Sequence, residues 1–338
     1  MKLAEYLDKD KLRHHINTGL VMERFHDTLP LSIYCYGRKA VFDSVWDGVT
    51  TKTRGLIVGP EGEIVARPFE KFFAYDTAGQ TATHPEIVKH VDADFGPPVI
   101  TEKVNGCLGT FWKYGIHWGI ASKGSFHSPH AVFATKWMER HIESHGKLVF
   151  PEGYTPVFEI ICQEVQPHVI KYEHDGLVLL NFINNETGEE LDRSNTVLYA
   201  QKNTLQRTRW TALSLDEALK EDNSSYEGYV ATYNIPGQVP LKLKIKFPTF
   251  LKNRKLFYEE LKRKESPRND TKYAEIFVAA SNLLRDSFVS CTRRGEFAEF
   301  FLKNNPELAP ACFAMMDERD HKSVIWKLVE RHDKGEEG

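Results

Sequence analysis

The sequence predicts an α+β fold, in which mainly antiparallel sheets flanked by helices are followed by a small all-helical domain. Residues 30–250 contain many short β-type runs that are broken by Gly, Pro and Asn, such as GLVLLNFI and LKLKIKF. After about residue 250, apolar residues recur at helical spacing, as in TKYAEIFVAASNLLRDSF. We therefore expect a first domain at 1–250, a helical domain at 251–338 and a linker at 262–271.

Length and charge restrict the class of protein. The 338 residues carry a net charge of −3, so one large or two ordinary domains are expected, and nucleic-acid binding would need local basic patches. No apolar run reaches the length of a membrane-spanning helix, and the charged N-terminus lacks a signal core. The five cysteines are scattered without a CxxC pair, which favours reduced thiols in a cytoplasmic protein with no membrane partner.

The first β segments carry cations beside apolar residues. TRGLIVGPEGEIVARPFEKFF (53–73) predicts a hairpin with the turn GPEG, and it presents Arg54, Arg67 and Lys71. The next strand, TEKVNGCLGTFW (101–112), starts with Lys103 and is interrupted by Asn105 and Gly106. Lys103 is therefore either an ordinary strand charge or a nucleophile.

The segment SPHAVFATKWMERHIESHG (128–146) has the pattern of a helix, with Ser128 as its cap before a proline. His141 and His145 have the i,i+4 spacing of a metal pair, but no third ligand follows the pattern. Solvated or capping histidines are therefore the favoured interpretation.

Two later strands carry a carboxylate in apolar or aromatic surroundings. VFEIIC (157–162) contains Glu159, and YEGYVATY (226–233) contains Glu227. Burying an unpaired charge is costly. Each carboxylate therefore belongs either to a structural ion pair or to a contact with a ribose or a metal ion.

The segment PLKLKIKF (240–247) alternates strictly, so Lys242, Lys244 and Lys246 share one face of a strand. An edge strand with lysines in water would show this pattern, and so would a row of cations facing a triphosphate. With Lys123 in ASKGSFHS (121–128), these features together indicate a strand-lined groove that binds phosphate and a divalent metal.

The chemistry that needs this set is phosphoryl transfer to a lysine. A lysine nucleophile must lose its proton, and neighbouring cations and desolvation lower its pKa from a reference of ~10.4. Lys244, Lys246 and Arg54 would do this and would neutralise charge on the triphosphate. Glu159 and Glu227 would hold Mg²⁺, with Mn²⁺ as an alternative ion, and a glycine lets the backbone approach the nucleotide.

These residues resemble a known family. EKVNG is similar to the KxxG motif of covalent nucleotidyltransferases, which include DNA ligases, RNA ligases and capping guanylyltransferases. VFEIICQE resembles their third motif, EGYV their fourth and KLKIK their fifth, in the same order. Over about residues 30–250 the chain most resembles the phage T4 RNA ligase 1 family, through RGLIVGPEGEIVARPFEKFF, SKGS and IKYEHDGLVLLNFINNETGE.

The resemblance implies a nucleotidyltransferase domain and an ATP-dependent RNA ligase. Such enzymes form a lysyl-adenylate, transfer AMP to an RNA 5′-phosphate, and then join it to an RNA 3′-hydroxyl. By motif position, Lys103 would be the adenylated nucleophile, with Lys244 and Lys246 at the α-phosphate. Glu227 would be the metal-linked carboxylate, and Glu159 would bind the ribose.

The resemblance also implies a set of nucleotide contacts around these residues. Arg54, Lys71 and Lys123 would contact phosphates, with Lys71 at the outgoing pyrophosphate. Glu102 would lie near the exocyclic amine of adenine, Val230 near the face of the base, and Gly106 beside the nucleotide.

The chain departs from the family pattern at two points. Asn105 stands where most members have Asp, although fungal tRNA-splicing ligases are similar there. No OB-fold signature follows KLKIK, which disfavours DNA ligases and capping enzymes. A DNA ligase, a guanylyltransferase and an inactive RNA-binding relative remain as alternatives.

The expected partner is RNA with 5′-phosphate and 3′-hydroxyl ends, with nicked tRNA as an analogy. No kinase P-loop is present, so a separate kinase or phosphatase would prepare the ends. The segment 241–270 is rich in Lys and Arg, as an RNA-backbone track or a solvated helix face would be. Its aromatic residues would either stack on bases or form core, and they are Phe250, Phe257 and Tyr258.

Overall fold

In a computed structural model, the described residues are 1–165, 168–265, 270–287, 291, 294–316, 324–325 and 328. They belong to two compact units, Met1–Arg254 and Lys255–Gly338, and each unit is described by itself.

The first unit combines three sheets with short helices. Its strands are β1 (Val21–Phe25), β2 (Ser32–Tyr36), β3 (Arg54–Val58), β4 (Ile64–Ala66), β5 (Phe73–Ala74), β6 (Val99–Glu102), β7 (Cys107–Tyr114), β8 (His117–Ser122), β9 (Tyr154–Ile161), β10 (Gly176–Asn184), β11 (Trp210–Thr211), β12 (Gly228–Tyr233) and β13 (Leu241–Lys246). Its helices are α1 (Leu3–Tyr6), α2 (Lys9–Asn17), α3 (Arg38–Phe42), α4 (Pro85–Phe95), α5 (Pro129–His145), α6 (Arg193–Lys202) and α7 (Leu215–Lys220). A 3₁₀ turn spans Thr81–Thr83.

The sheets have the orders β1-β2-β3-β4, β10-β9-β7-β8 and β11-β6-β12-β13-β5. Among the described residues, all named strand pairs are antiparallel except β13 with β5, which run parallel. The α+β class with mainly antiparallel sheets is therefore confirmed for this unit.

The predicted hairpin at 53–73 and the helix at 128–146 are confirmed. Strands β3 and β4 pair antiparallel around a turn in which Gly62, with a φ of 78°, donates its N–H to the Gly59 carbonyl. Helix α5 begins after Ser128, whose side chain accepts a hydrogen bond from the Ala131 N–H, and it ends at Gly146 with a φ of 91°. Both ends are thus determined by local turn and cap residues.

The strand at 240–247 alternates as predicted, but it is not an edge strand. Leu243, Ile245 and Phe247 are buried, while β13 lies between β12 and the two-residue strand β5. The edge-strand interpretation of its lysines is therefore wrong, because a chain segment far away in sequence covers the open side of the strand.

The sheet that contains β9 packs on α5. Strand β9 contributes Phe158 and Ile160, and the helix contributes Ala134 and Met138, all within one buried cluster. This core fixes the positions of β7 and β9, which carry residues of the predicted site.

Helix α8 (Pro248–Glu265) crosses the boundary between the units. Its Phe250 is buried, so this aromatic residue is core and the base-stacking alternative is wrong for it. The predicted linker at 262–271 is also wrong in part, because residues 262–265 belong to α8 and 270–271 to the next helix, while 266–269 lie outside the described residues.

In the second unit, every described element is a helix. These elements are α9 (Asp270–Ser287), α10 (Arg294–Asn304), the 3₁₀ turn Pro306–Leu308 and α11 (Ala309–Met316). Ala280, Phe301 and Cys312 are fully buried in their shared core.

No helix within the described residues is long and apolar enough to cross a membrane.

Candidate active site

A cavity of about 720 Å³ opens in the first unit, between the sheet of β6, β12 and β13 and the sheet of β7 and β9. Most of the predicted site residues line it, and they are Arg54, Glu102, Lys103, Gly106, Lys123, Glu159, Val230, Lys244 and Lys246. Glu227 and Lys71 are absent from the lining but contact residues that belong to it. The structure therefore brings together residues that lie up to 192 positions apart in the sequence.

Lys103 follows directly after β6 and is held on both sides. Its backbone N–H donates to the Gly228 carbonyl over 2.8 Å, which continues the pairing of β6 with β12. Its side-chain Nζ lies 3.0 Å from Glu227 Oε1, and only 18% of that side chain is exposed. The amine is thus a restrained and largely buried group at the cavity wall.

Glu227 is the centre of the charge network. Its side chain is 4% exposed, and Oε1 lies 3.0 Å from Lys103 Nζ and 2.8 Å from Lys246 Nζ. Burial alone would raise the pKa of Glu227, but the charges of Lys103 and Lys246 lower it below its ordinary value. The ion-pair interpretation is therefore confirmed for Glu227, with two lysines of the predicted site as its partners.

Asn105 binds the second carboxylate oxygen of Glu227. Its Nδ2 donates to Glu227 Oε2 over 2.9 Å, while its backbone N–H donates to the Tyr172 hydroxyl over 2.7 Å. A side-chain amide can donate this bond, whereas an ionised Asp can only accept. Asparagine at this position is therefore chemically suited to the carboxylate that it faces.

Glu159 lies in the middle of β9, paired with Leu108 and Val178 on its two sides. Among the described residues no cation lies within 4.0 Å of this carboxylate, so the ion-pair interpretation is wrong here. Its Oε1 accepts a hydrogen bond from the Gly106 N–H over 3.0 Å. Burial raises the pKa of Glu159 to about 7, opposed by the charge of Lys103 and reinforced by that of Glu227.

Gly106 is required by packing inside the protein. A Cβ placed there would lie 2.4 Å from the Ile160 carbonyl oxygen and 3.0 Å from Glu159 Cγ. Because that oxygen belongs to the backbone of β9, it cannot move aside as a flexible side chain would. The glycine therefore permits the close approach of β7 to β9, whatever occupies the cavity.

Four basic residues lie near one another, and they are Arg54, Lys71, Lys123 and Lys244. Burial, followed by the charges of Lys71 and Arg54, lowers the pKa of Lys244 to about 6. Burial, followed by the charges of Arg54 and Lys123, lowers the pKa of Lys71 to about 8. Within the described ranges, none of the four has an ion-pair partner within 4.0 Å. Because Lys71 and Lys244 can each gain a proton when an anion binds nearby, the group suits a polyphosphate.

Glu102 and Val230 line another part of the cavity. Burial raises the pKa of Glu102 above its ordinary value. The charge of Arg209, whose Nε lies 3.9 Å from the carboxylate, opposes this rise only in part. Val230 pairs with Thr101 on one side and Lys244 on the other. Both residues therefore line the part of the cavity in which a base would bind. Their contacts with adenine stay a prediction.

Lys242 differs from the two lysines that follow it. Its Nζ pairs with Glu190 and donates to the Thr232 hydroxyl. The predicted row of cations is therefore shortened to Lys244 and Lys246, because the charge of Lys242 is already compensated inside the protein.

Sequence reasoning missed the cavity residues Arg193 and Trp210. Trp210 lies in the two-residue strand β11, which is too short to produce a periodic pattern. The run RTRW (207–210), with arginines next to an aromatic residue, was the available signal.

The histidine pair on α5 also differs from its favoured interpretation in part. His141 is buried, with Nε2 2.7 Å from the Asn203 carbonyl oxygen, and it stacks on Trp137 and His145. It is thus a packed histidine rather than a solvated one. Within the described part of the chain, no group of three or more His, Cys, Asp or Glu is arranged to hold a metal ion.

Comparison with known proteins identifies a family. A family model described as RNA ligase matches residues 52–265. A curated protein of Thermovibrio ammonificans, named as a candidate RNA ligase, is 28% identical over 193 residues, which are 56% of this chain and 49% of that protein. The chain thus spans about half the length of this curated relative.

Solved structures show only distant likeness. An RNA ligase of Naegleria gruberi, solved with ATP and Mn, is 12% identical with a TM-score of 0.38, covering 50% of this chain and 54% of its own. A candidate ATP-dependent DNA ligase of Aquifex aeolicus is 12% identical with a TM-score of 0.48, covering 96% and 76%. Scores this low carry no conclusion about activity.

The family model is decisive because it spans more than half of the chain and includes the segments of Lys103, Glu159, Glu227 and Lys246. The chain therefore belongs to the RNA ligase family of the T4 RNA ligase 1 type.

Proposed function

We propose that the chain is an ATP-dependent RNA ligase that joins RNA 3′-hydroxyl and 5′-phosphate ends through lysyl-AMP and RNA-adenylate intermediates. The observation that carries this proposal is the position of Lys103. Its amine lies at the wall of a cavity large enough for a nucleotide, in contact with Glu227 and near Lys244.

In the first step, the Lys103 amine would attack the α-phosphorus of ATP, forming a P–N bond while the bond to pyrophosphate breaks. The amine must be neutral to attack, so its ion pair with Glu227 has to loosen in that state. Lys244 and Lys246 would stabilise charge at the α-phosphate, and Arg54, Lys71 and Lys123 would receive the pyrophosphate.

The two carboxylates have the chemistry of a magnesium or manganese site. Mg²⁺ in proteins is typically held by one or two carboxylates together with phosphate oxygens and water. Glu159 Oε2 accepts no hydrogen bond from any described residue, and the neighbouring charge of Glu227 helps to raise the pKa of Glu159 to about 7. A cation held by both would relieve this repulsion and would supply positive charge near the phosphates.

The later steps would use the same cavity. AMP would pass from Lys103 to the RNA 5′-phosphate, and the RNA 3′-hydroxyl would then attack that phosphate and release AMP. We propose residues 1–250 as the catalytic domain and 251–338 as the helical domain for RNA specificity. The ends would be prepared by a separate kinase or phosphatase, and nicked tRNA is the substrate suggested by family analogy.

Labelled nucleotides test the proposal. The protein is incubated with α-labelled ATP or GTP and Mg²⁺, denatured, and then examined for retained label. We expect label from ATP alone, and circularisation of a 5′-phosphorylated RNA but not of the equivalent DNA. Label from GTP would favour a guanylyltransferase, and ligation of DNA alone would favour a DNA ligase. The absence of both protein-bound label and AMP release from pre-adenylated RNA would indicate an inactive relative.

Asn105→Asp is expected to slow lysyl-adenylate formation by roughly 10- to 100-fold, although most family members resemble this variant. The change removes the donor to Glu227 Oε2 and places a second carboxylate 2.9 Å from it, and a lost buried hydrogen bond costs about 1–3 kcal/mol. Because burial and Glu227 raise the pKa of the new carboxyl, it regains a donor proton as pH falls, and the defect should shrink.

Adenylation rates from pH 5 to 8 check this, with Asn105→Ala as the variant that loses the donor without adding charge. We expect the alanine variant to be less impaired than the aspartate variant and to lack its pH dependence. A rate for Asn105→Asp equal to that of the wild type would contradict the role of this amide.

Binding of a triphosphate at pH 8 is expected to take up roughly one to two protons per protein, because a pKa of about 6 leaves Lys244 largely neutral and a pKa of about 8 leaves Lys71 half neutral. The bound anion favours the charged lysine, so affinity should fall as pH rises above 6. Calorimetric titration with an α,β-methylene ATP analogue, in buffers of different ionisation enthalpy, counts the protons. Lys244→Met should remove most of the uptake, and an unchanged count in that variant would contradict the assignment.

A further inference from the structure

A tryptophan and two arginines form a positively charged aromatic cluster at one end of the cavity. The guanidinium carbon of Arg207 lies 4.2 Å from the centroid of the Trp210 ring, and that of Arg193 lies 4.8 Å from it. Trp210 and Arg193 line the same cavity as Lys103. In the part of the chain that the structure describes, no carboxylate lies within 4.0 Å of either guanidinium.

The cluster is held by the fold. The Arg207 backbone forms a bridge with Leu179 of β10, and the Thr208 N–H donates to the Leu179 carbonyl over 3.0 Å. Arg193 is the first residue of α6, and the neighbouring Asp192 is engaged as the helix cap, accepting a hydrogen bond from the Asn195 N–H. The nearest carboxylate in sequence thus faces the helix backbone, and no described carboxylate forms an ion pair with either arginine. Burial and then Arg193 lower the pKa of Arg207.

The register of the sheet gives the distance from this cluster to the reacting centre. Trp210 pairs with Thr101, Thr101 with Val230, and Val230 with Lys244, and all four line the cavity. Three strand spacings separate Trp210 from Lys244, so their Cα atoms lie about 14 Å apart. A nucleoside monophosphate whose phosphate lies at Lys244 is shorter than this and ends before the arginines.

The charges and the distance together indicate what binds. The two arginines have no carboxylate partner among the described residues, and they lie too far from Lys244 to share its phosphate, so a second phosphate is expected beside them. The ATP molecule of the proposed reaction cannot supply it, because its phosphates lie at the Lys244 end of the cavity. Indole and guanidinium planes both stack on nucleobases, while guanidinium forks hold phosphate oxygens. A single-stranded nucleic acid supplies both groups at successive positions.

We propose that Trp210, Arg193 and Arg207 bind the RNA strand next to its reacting end, with a base stacked on the cluster and its phosphate held by the arginines. The inference rests on the proposed RNA ligase function and adds the position at which the substrate strand is held. It also assigns a role to the RTRW segment, which lies outside the motifs of the nucleotide site.

Arg193→Ala and Trp210→Ala test this site, and the exposed Arg193 keeps the test informative if the tryptophan variant misfolds. Lys202→Ala is the matched control, because Lys202 lies 5.4 Å from the Tyr199 ring on the same helix but does not line the cavity. The assays measure lysyl-adenylate formation from ATP, and AMP transfer from the adenylated protein to a 5′-phosphorylated RNA oligonucleotide.

We expect both variants to raise the KM for RNA about 10-fold or more, as loss of a stacking contact does. The rate of adenylation, the KM for ATP and all values for Lys202→Ala should be unchanged. For Arg193→Ala the salt dependence of RNA binding should also weaken, by a slope of about 0.7, since one phosphate contact is lost. An unchanged KM for RNA would overturn the proposal, and so would a raised KM for ATP, which would place the cluster in the nucleotide site.

Failure of the proposed function is distinguishable from failure of this inference. If the wild-type protein forms no lysyl-adenylate, the ligase proposal fails. Direct binding of the same oligonucleotide, measured by fluorescence anisotropy, then decides whether the cluster binds RNA. A Kd that rises about 10-fold in Arg193→Ala supports it, and a Kd equal to that of the wild type overturns it.

Discussion

Lys103→Ala is expected to abolish transfer of labelled AMP to the protein, with a loss of about 10⁴-fold or more, as is typical when a covalent nucleophile is removed. Among the described residues, only Lys103 and Lys246 line the cavity and contact the buried Glu227, and of these two only Lys103 lies in the KxxG motif. The measurement is label retained after denaturation with α-labelled ATP and Mg²⁺.

Lys103→Arg and Lys113→Ala are the controls for this experiment. Arginine keeps the positive charge beside Glu227, but its guanidinium stays protonated and cannot act as the nucleophile. We therefore expect it to be as inactive as alanine, while the exposed Lys113 on β7 should be dispensable. Joining of pre-adenylated RNA by Lys103→Ala would show that the variant is folded. Label retained by either Lys103 variant would place the nucleophile elsewhere.

Glu227→Ala is expected to destabilise the first unit by about 3–5 kcal/mol, because it leaves Lys103 and Lys246 as buried charges without their partner. Adenylation should fall as well, since Lys103, the proposed nucleophile, loses the group that orients it. Urea unfolding at pH 7, followed by a fluorescence signal of the first unit, measures the loss.

The pH dependence of this loss has a defined sign. The pKa of Glu227 is lowered below its ordinary value of 4.5 in the folded protein. The stability that it contributes is therefore fully present above pH 4.5 and is lost as pH falls through the folded pKa. The difference between wild type and Glu227→Ala should narrow below pH 4.5.

Glu86→Ala is the matched carboxylate control. Glu86 pairs with Lys89 over 3.1 Å, but both side chains are more than 60% exposed, so its loss should cost about 0–1 kcal/mol. A similar cost for the two variants, or a difference that is unchanged below pH 4.5, would contradict the central role of the Glu227 network.

The periodicity of the sequence was sufficient for several elements of the fold. Alternation at 240–247 reports a strand with one buried face, because successive side chains of a strand point to opposite sides. The turn glycines at 59–62 and the cap at Ser128 act within a few residues, so the hairpin and α5 followed from local chemistry. The interpretation of 240–247 as an edge strand failed because its neighbour β5 is short and distant in sequence.

The candidate site was recognisable for a related reason. Several apolar strand segments each contain one charged residue, and these residues are Lys103, Glu159, Glu227 and Lys244. Because burying a charge costs free energy, each of them can be recognised from its own segment alone. Their order along the chain then matched the motifs of a family.

The partners of these residues were not visible in the same way. Asn105 looked like a departure from the pattern until its amide was seen to face Glu227, 122 residues away. Glu159 and Glu227 have similar sequence surroundings, yet Glu227 binds two lysines, while Glu159 has no ion pair with any described residue. Trp210 meets Arg193 and Arg207 only through the placement of α6 and β10.

By itself, the sequence determined the α+β class, the strand faces and the identity of the charged residues in the nucleotide motifs, because these depend on periodicity and local composition. Only the tertiary structure decided which carboxylate is paired, why position 105 holds an amide, and which cations share a cavity. Hydrogen bonds and Coulomb forces act over a few ångströms, and the fold alone brings residues more than a hundred positions apart within that range.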